Sequence, residues 1–174
     1  MLILIPGGCG FIGSSLAIYL KQNIKNCYVI SIDNLSRNTS YLNQKKLIKH
    51  KIKNIRLDLS SKNCLSKLNR IKKKFDFIID CCAEPAVELS KSNPNLVFDS
   101  NLKSTLNLLE IAKKNQSKII YLSTSRVYSI KEINNVFKKI NFNVPLARNF
   151  KINEKFSTQS PISFYGFTKL SSEI

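Results

Sequence analysis

The sequence predicts a three-layer α/β fold in which helices cover both faces of a doubly wound parallel sheet. Short apolar runs alternate with longer stretches of helical periodicity along the 174 residues, which is the βαβ pattern. Runs such as Phe77-Ile78-Ile79 are apolar without alternation, as expected for parallel strands buried on both faces. A glycine-rich turn directly follows the first run. We therefore expect one domain built around one parallel sheet.

Each predicted element rests on a local pattern of this kind. The apolar runs place strands near residues 2–6, 27–32, 52–57, 75–80 and 118–122. The helical patterns lie near residues 11–22, 40–50, 61–72, 95–115 and 164–174. The stretch 129–160 has no clean period and contains Pro145. We expect a surface excursion there rather than another βα unit.

The composition is that of a globular protein with a strong positive charge. Hydrophobic residues make up 43% of the chain, charged residues 22%, and the net charge is +17. Of the 28 basic residues, 23 are Lys, scattered singly or in runs no longer than 72–74. No Arg-rich stripe interleaves with aromatic residues, so the pattern disfavours nucleic-acid binding. An RNA-binding module nevertheless stays open as an alternative.

The cysteine pattern indicates a reducing compartment. The five cysteines are an odd number without disulfide-like or zinc-like spacing, and the only histidine is His50, so we expect no metal site and a cytoplasmic protein. The apolar start at residues 1–5 lacks a charged flank and runs into Pro6-Gly7-Gly8. It is too short for a signal or membrane segment, and we expect no membrane association.

The turn after the first strand is a candidate phosphate-binding loop. Its glycines are Gly7, Gly10 and Gly13. Such a loop lets backbone N–H groups approach a pyrophosphate at a helix N-terminus, and the third glycine lets the helix pack closely on the strand. Glycines also collect in ordinary tight turns, so the triplet alone is weak evidence.

The end of the second strand strengthens this interpretation. Asp33 lies 20 residues after Gly13, where an acidic side chain accepts hydrogen bonds from the adenosine ribose and repels a 2′-phosphate. Asp33 therefore favours NAD over NADP, although Arg37 could instead receive that phosphate. Asp58 and Leu59 follow the third strand and could lie beside the adenine. Asp58 could equally cap the helix predicted after it.

Three polar residues in the second half predict a catalytic site. Thr124 follows the fifth strand, and Tyr165 and Lys169 are four residues apart on the last predicted helix, so they share one helix face. A tyrosine ordinarily titrates near pH 10, and a neighbouring ammonium group makes proton removal near neutral pH possible. We expect Tyr165 to take the proton of a substrate hydroxyl that Thr124 holds, while the cofactor takes the hydride.

Together these motifs resemble the extended short-chain dehydrogenase/reductases, the NAD-dependent epimerase/dehydratase family, over the whole length. The residues that carry the resemblance are 7–13, 33–37, 58–59, 83–87, 101, 105–110, 124–128 and 165–169. Within the family, the Asp-Asn-Leu-Ser-Arg run at 33–37 and the run at 123–128 are most similar to CDP-paratose (CDP-tyvelose) 2-epimerases.

The resemblance implies a Rossmann fold, NAD as cofactor and a CDP-, UDP- or dTDP-hexose as substrate, with a homodimer as the full-length assembly. The implied cofactor contacts are Gly7, Gly10, Phe11, Ile12, Gly13, Asp33, Asn34, Ser36, Arg37, Asp58, Leu59, Cys82, Ala83, Asn101, Tyr165 and Lys169. Cys81 and Cys82 are expected to pack near the cofactor as free thiols rather than as a disulfide. The chain stops within the last predicted helix, and relatives continue into a substrate-binding part.

Departures from the family pattern bear on the reaction. Where sugar-nucleotide dehydratases carry an Asp-Glu pair after the hydroxyl residue, this sequence has Ser125 and Arg126. Without that acid, elimination of water lacks its proton donor, so we expect epimerisation through a transient keto sugar. A dehydratase, a dehydrogenase/reductase and a non-catalytic NAD-binding module stay open. Four further departures, expected to affect packing more than chemistry, are Pro6, Asp80, Ser104 and Ser129.

Overall fold

The computed structural model of the chain describes residues 1–71, 74–139, 152–160 and 162–174. Within these ranges it contains one five-stranded sheet whose paired strands are all parallel, in the order β3-β2-β1-β4-β5. The strands are β1 (Leu2–Pro6), β2 (Tyr28–Asp33), β3 (Lys53–Arg56), β4 (Phe77–Asp80) and β5 (Lys118–Tyr121). The chain thus crosses from β3, at one edge, to β4 beside β1, and this reversal defines a doubly wound sheet.

The helices that connect and follow these strands were mostly predicted from the sequence. They are α1 (Phe11–Asn23), α2 (Ser40–Lys49), α3 (Cys64–Asn69), α4 (Val87–Ser92), α5 (Pro94–Phe98), α6 (Ser104–Asn115), α7 (Ile130–Lys139) and α8 (Phe164–Glu173). A π-helical stretch, Asp99–Lys103, joins α5 to α6, and a 3₁₀ turn, Ser125–Val127, follows β5.

Two apolar clusters form the core, one on each face of the sheet. On one face Leu4 and Ile78 pack with residues of α3 and α6, including Leu68 and Leu108. On the opposite face Ile3, Ile5 and Ile79 pack with Ala17 of α1 and Leu47 of α2. Consecutive strand residues therefore pack into the clusters on opposite faces of the sheet. Because both faces are buried, the strands are apolar without alternation. The predicted three-layer fold is confirmed.

Two regions differ from the sequence prediction. The single helix expected over 95–115 is α5, the π-helical stretch and α6 in succession, and α4 precedes them without having been predicted. The excursion expected over 129–160 contains α7, whose partly buried residues Ile133 and Val136 are three apart. The apolar pattern of this helix is short and is interrupted by Asn and Lys, so it was not recognised in the sequence. Residues 140–151 of that stretch lie outside the described part of the chain.

Across the described residues, no helix combines the length and the apolar character needed to cross a membrane.

Candidate functional site

The glycine loop lies where the sheet reverses, at the carboxyl ends of β1 and β4. Gly7 has a φ of +68°, and a Cβ at this position would lie 2.7 Å from the carbonyl oxygen of Cys81 and 2.9 Å from the backbone nitrogen of Cys82. Only glycine fits both this backbone conformation and this close approach. The loop then turns tightly, because the backbone N–H of Gly10 donates to the carbonyl of Gly7 at 2.9 Å.

The same loop brings the N-terminus of α1 to the mouth of this crevice. A Cβ on Gly13 would collide with the carbonyl oxygen of Gly7 and lie 2.8 Å from the Cα of Gly8, so the helix can approach the loop only with glycine there. No side chain caps α1 at Gly10, and its first turn holds no acidic residue. The N–H groups of the first turn are therefore left for a bound anion.

Asp33 joins the glycine loop to the end of β2. Its Oδ2 accepts a hydrogen bond from the backbone N–H of Cys9 at 3.0 Å, and its Oδ1 accepts one from that of Leu35 at 2.8 Å. Each carboxylate oxygen has a second lone pair. The carboxylate is thereby fixed beside the loop and still able to accept hydrogen bonds from ribose hydroxyls.

Asp58 lies on the β3 side of the same crevice. It caps its own turn rather than α3, because its Oδ1 accepts hydrogen bonds from the backbone and hydroxyl of Ser60 at 2.8 and 2.7 Å, whereas Asn63 is the N-cap residue of α3. Partial burial favours the protonated carboxyl, but the hydrogen bonds from Ser60 and Asn34 and the charge of Lys103 outweigh it and lower the pKa of Asp58. The alternative of a helix cap is therefore wrong.

An ion pair spans the crevice from the β2 side to the β4 side. The Arg37 guanidinium nitrogen Nη2 lies 2.8 Å from both carboxylate oxygens of Glu84. Asn101 fixes the backbone of Glu84, accepting a hydrogen bond from its N–H at 2.7 Å and donating to its carbonyl at 3.3 Å. The Asn101 side chain is only 1% exposed. Asn101 is not among the residues that line the cleft, and its predicted contact with a cofactor stays a prediction.

These residues surround one cleft with an empty volume of about 640 Å³. Of the predicted cofactor contacts, the cleft is lined by Gly7, Gly10, Asp33, Asn34, Ser36, Arg37, Asp58, Leu59, Cys82 and Ala83. Cys81, which was expected to pack near the cofactor, also lines the cleft. The sequence did not single out the other lining residues, which are Ser40, Leu57, Glu84, Ser100 and Ser104. Phe11, Ile12 and Gly13 belong to the adjoining first turn of α1, and Tyr165 and Lys169 lie outside the lining.

The carboxyl end of β4 carries a buried acid and two free thiols. Asp80 is fully buried, and its oxygens accept hydrogen bonds from the backbone N–H of Cys82 at 2.9 Å and the Thr105 hydroxyl at 2.8 Å. Burial raises the pKa of Asp80 against these bonds and the charge of Lys169. Burial, reinforced by Asp80, likewise raises the pKa of the Cys81 thiol to about 12. Both cysteines are free, as predicted.

The predicted Tyr-Lys pair lies on α8, beneath the surface. Ser163 caps the helix, its hydroxyl accepting a hydrogen bond from the Gly166 N–H at 3.0 Å. Tyr165 is 7% exposed and Lys169 is 2% exposed. The Lys169 Nζ lies 4.0 Å from the ring centroid of Tyr121, at the end of β5. Burial lowers the pKa of Lys169, and the charge of Asp80 opposes this shift.

Thr124 reaches this helix through the 3₁₀ turn. Its Oγ1 accepts a hydrogen bond from the backbone N–H of Arg126 at 3.3 Å. Gly166 of α8 packs so closely on the Arg126 carbonyl that a Cβ there would collide with it. Thr124 lines a second cavity with Tyr121 and Tyr128. The fold thus brings Thr124, Tyr165 and Lys169 to adjoining elements, with no hydrogen bond joining the three in the described part of the chain.

The cleft fits a dinucleotide. Gly7 and Gly10 line the cleft without side chains, the first turn of α1 beside them is uncapped, and the Asp33 carboxylate lines the same cleft where a ribose would lie. These are the backbone donors and the acidic acceptor that dinucleotide recognition requires.

Comparisons with known proteins agree with the geometry. Residues 3–174 match the profile of the NAD dependent epimerase/dehydratase family. CDP-paratose 2-epimerase of Salmonella typhi is 37% identical over 132 residues, covering 74% of this chain and 38% of that protein. A bifunctional UDP-glucose and UDP-xylose 4-epimerase of Pisum sativum is 32% identical over 173 residues, covering 97% of this chain and 44% of its own length.

A solved structure shows the same relationship. The UDP-glucose 4-epimerase of Bifidobacterium longum, crystallised with NAD⁺ and UDP, aligns with a TM-score of 0.74 and 28% identity over 99% of this chain and 47% of that one. The chain spans about half the length of the relatives it matches. The predicted fold, family and NAD dependence of that family are confirmed, and the chain belongs to the NAD-dependent epimerase/dehydratase family.

Proposed function

We propose that this chain forms the NAD-binding part, 1–174, and the proton-transfer residues of a nucleotide-sugar epimerase. The observation that carries the proposal is the juxtaposition of two features: a glycine cradle with Asp33 at its side, and a buried Tyr165-Lys169 helix packed on the turn that follows Thr124. A module that only bound NAD would need the first feature and not the second. The substrate class follows from relatives that act on UDP- and CDP-sugars.

The chain's own residues divide into cofactor-holding and proton-handling groups. Backbone N–H groups of the first turn of α1 would bind the pyrophosphate, and Asp33 would accept ribose hydrogen bonds. When bound, NAD supplies the acceptor that oxidises a sugar carbinol and the donor that reduces it again. The nicotinamide side of the cleft would then face the carboxyl end of β4, where Cys81 and Cys82 restrict the space.

Tyr165 would remove the proton of the sugar hydroxyl while Thr124 holds the hydroxyl oxygen. Proton removal by a tyrosine near neutral pH needs a nearby positive charge, since an unperturbed phenol titrates near pH 10 and moving it to pH 7 takes roughly 4 kcal/mol. Lys169 can supply that charge from the same face of α8. Burial disfavours the lysine charge, and the buried Asp80 carboxylate counteracts burial, so Asp80 would keep Lys169 protonated.

The 3₁₀ turn favours epimerisation over dehydration. Ser125 and Arg126, the exposed residues that follow Thr124, carry no carboxyl group, so neither can protonate a leaving hydroxyl. One observation keeps dehydration as a second candidate: Glu154 and Glu173 line the same cavity as Thr124. Of these, Glu173 accepts a hydrogen bond from the Ser123 hydroxyl, which engages it elsewhere.

In the decisive experiment, the intact protein is incubated with UDP-, CDP- and dTDP-hexoses, and the configuration of the sugar carbons is followed by NMR. We expect inversion at one carbon and no loss of water. Tyr165→Phe should retain NAD binding and lose turnover by roughly 10²–10⁴-fold. Tyr19→Phe is the control, because Tyr19 is 61% exposed on α1. Near-normal turnover in Tyr165→Phe would refute the proposed base, and release of water would replace epimerase with dehydratase.

The homodimer and the cytoplasmic location stay predictions. Size-exclusion chromatography with light scattering tests the first, and fractionation of the source cells tests the second. RNA retention that falls steeply with rising salt would favour the RNA-binding alternative, and retention that is unchanged across salt would not.

A further inference from the structure

We infer that Glu84 determines dinucleotide specificity by occupying Arg37, so that the cleft takes NAD rather than NADP. This inference rests on the proposed NAD site. It goes beyond Asp33, whose acidic side chain at the end of β2 is the usual source of that preference. Glu84 follows a different strand and is 51 residues further along the chain.

Arg37 is placed where it could otherwise serve a 2′-phosphate. It lies four residues after Asp33 and lines the same cleft, and an arginine in this region is the usual partner of the NADP phosphate. A free guanidinium here would therefore weaken the discrimination that Asp33 provides. In the structure the guanidinium is not free, because its Nη2 donates to both oxygens of Glu84 at 2.8 Å.

Glu84 is held more rigidly than an ordinary surface acid. Its side chain is 17% exposed, against 51% for Arg37. Its backbone is bonded on both sides by the buried Asn101 amide, and its Oε1 also accepts the backbone N–H of Ala86 at 3.2 Å. Because the Glu84 carboxylate is held in place, the longer and more exposed Arg37 side chain is the one that adjusts its position to form the pair.

The consequence for binding follows from charge. Because the Arg37 side chain is half exposed, the ion pair contributes little to stability. Its role is instead to keep the guanidinium from binding a phosphate. A 2′-phosphate would have to displace the Glu84 carboxylate from Arg37, leaving a partly buried carboxylate without its partner. NAD has no 2′-phosphate, so it does not compete with Glu84 for the Arg37 guanidinium. Two acids, Asp33 at the end of β2 and Glu84 in the segment after β4, therefore act against the same phosphate.

The test compares NADH and NADPH binding to the intact protein by calorimetry, with cofactor fluorescence as a second readout. Glu84→Gln keeps the size of the side chain and an oxygen acceptor for Ala86, but loses the charge that holds Arg37. We expect its affinity for NADPH to rise by roughly tenfold or more, as for a gained charge-assisted hydrogen bond. Its affinity for NADH should change by less than about threefold on the same grounds.

Two further variants make the outcome specific. Glu88→Gln removes the same charge from a neighbouring pair, in which Lys91 lies 3.0 Å away and both side chains are largely exposed, and it should leave the NADPH to NADH ratio unchanged. The double variant Glu84→Gln/Arg37→Ala should lose the gain, because no guanidinium is left to release. Unfolding midpoints of all variants establish that they fold.

The results separate this inference from the proposed function. A rise in NADPH affinity in Glu84→Gln that disappears in the double variant supports it. An unchanged NADPH to NADH ratio, or a gain that survives removal of Arg37, overturns it while leaving NAD binding in place. If the unaltered protein binds neither dinucleotide, the proposed function and this inference fail together.

Discussion

A single methyl group added at Gly7 should damage the cofactor cleft in two ways. With φ at +68°, the backbone has a left-handed conformation, which costs an L-residue about 1–2 kcal/mol. The added Cβ would also lie 2.7 Å from the carbonyl oxygen of Cys81. That contact is with strand backbone rather than with a side chain that could turn away, and overpacking of this kind typically costs about 1–3 kcal/mol.

The two costs together make Gly7→Ala destabilising by about 2–5 kcal/mol. For a domain of this size each kcal/mol shifts the melting temperature by roughly 2–4 °C, so we expect a loss of about 4–20 °C. The strain would be relieved by separating the ends of β1 and β4, which widens the crevice. NAD binding should therefore weaken along with stability.

Gly10→Ala is the matched control in the same loop. Gly10 has a φ of −72°, which alanine adopts freely, and a Cβ there would meet only the Gly7 carbonyl oxygen, at 3.1 Å. Its stability cost should be no more than about 1 kcal/mol, arising from the poorer N-cap. Both variants should weaken NAD binding, since both residues line the cleft.

Thermal and urea unfolding followed by circular dichroism, each without cofactor, measure the difference. The expected order of midpoints is unaltered protein, then Gly10→Ala slightly lower, then Gly7→Ala far lower. Equal midpoints for the two variants would refute the argument that the Gly7 backbone and its contact with β4 are what require glycine.

Three further predictions concern the buried groups behind the cleft. Lys169→Met should retain or raise the free energy of unfolding, because burial disfavours the ammonium charge, while turnover measured by NMR falls about 10²-fold or more. Burial raises the pKa of Asp80, so the stability of the folded protein falls as the pH rises from the ordinary pKa of a carboxyl group through the raised one. Over that pH range the free energy of unfolding of Asp80→Asn, measured in urea, should increase relative to that of the unaltered protein. A difference that does not change with pH would contradict this expectation. With its pKa raised to about 12 by burial and by Asp80, Cys81 should react with iodoacetamide at pH 8 roughly 10³-fold more slowly than a free thiol, as read by mass spectrometry.

Local patterns in the sequence predicted the sheet and most of the cleft. The strand ends carry their functional residues directly, as Asp33 does after β2 and Asp58 after β3, and a strand end is recognisable from the apolar run before it. The glycines at 7, 10 and 13 likewise identified the loop, because they directly follow the apolar run of β1. Each of these features is contained in a short segment, so no knowledge of distant contacts was needed.

Features that depend on contacts between distant segments could not be predicted in this way. The Arg37–Glu84 pair joins residues 47 apart in sequence, and nothing in either local segment indicates that they meet. The π-helical stretch Asp99–Lys103 has the same apolar spacing as the helices around it, so periodicity merged it with them. The hydrogen bonds of Asn101 with Glu84 and Thr168 were not predicted for the same reason, since these partners lie on other segments.

Asn101 shows why the cofactor cleft and the proton-transfer helix should be regarded as one unit. Its buried amide bonds the backbone of Glu84 at the edge of the cleft, and its Nδ2 donates to the Thr168 hydroxyl on α8 at 3.1 Å. Thr168 donates in turn to the carbonyl of Tyr165 at 2.8 Å. A buried amide makes such bonds only if the segments stay in register, because an unpaired one costs about 1–3 kcal/mol. The position of Tyr165 therefore depends on the segment around Glu84, which binds Arg37. Neutralising Glu84 should shift Tyr165 only if it also moves the Glu84 backbone that Asn101 binds.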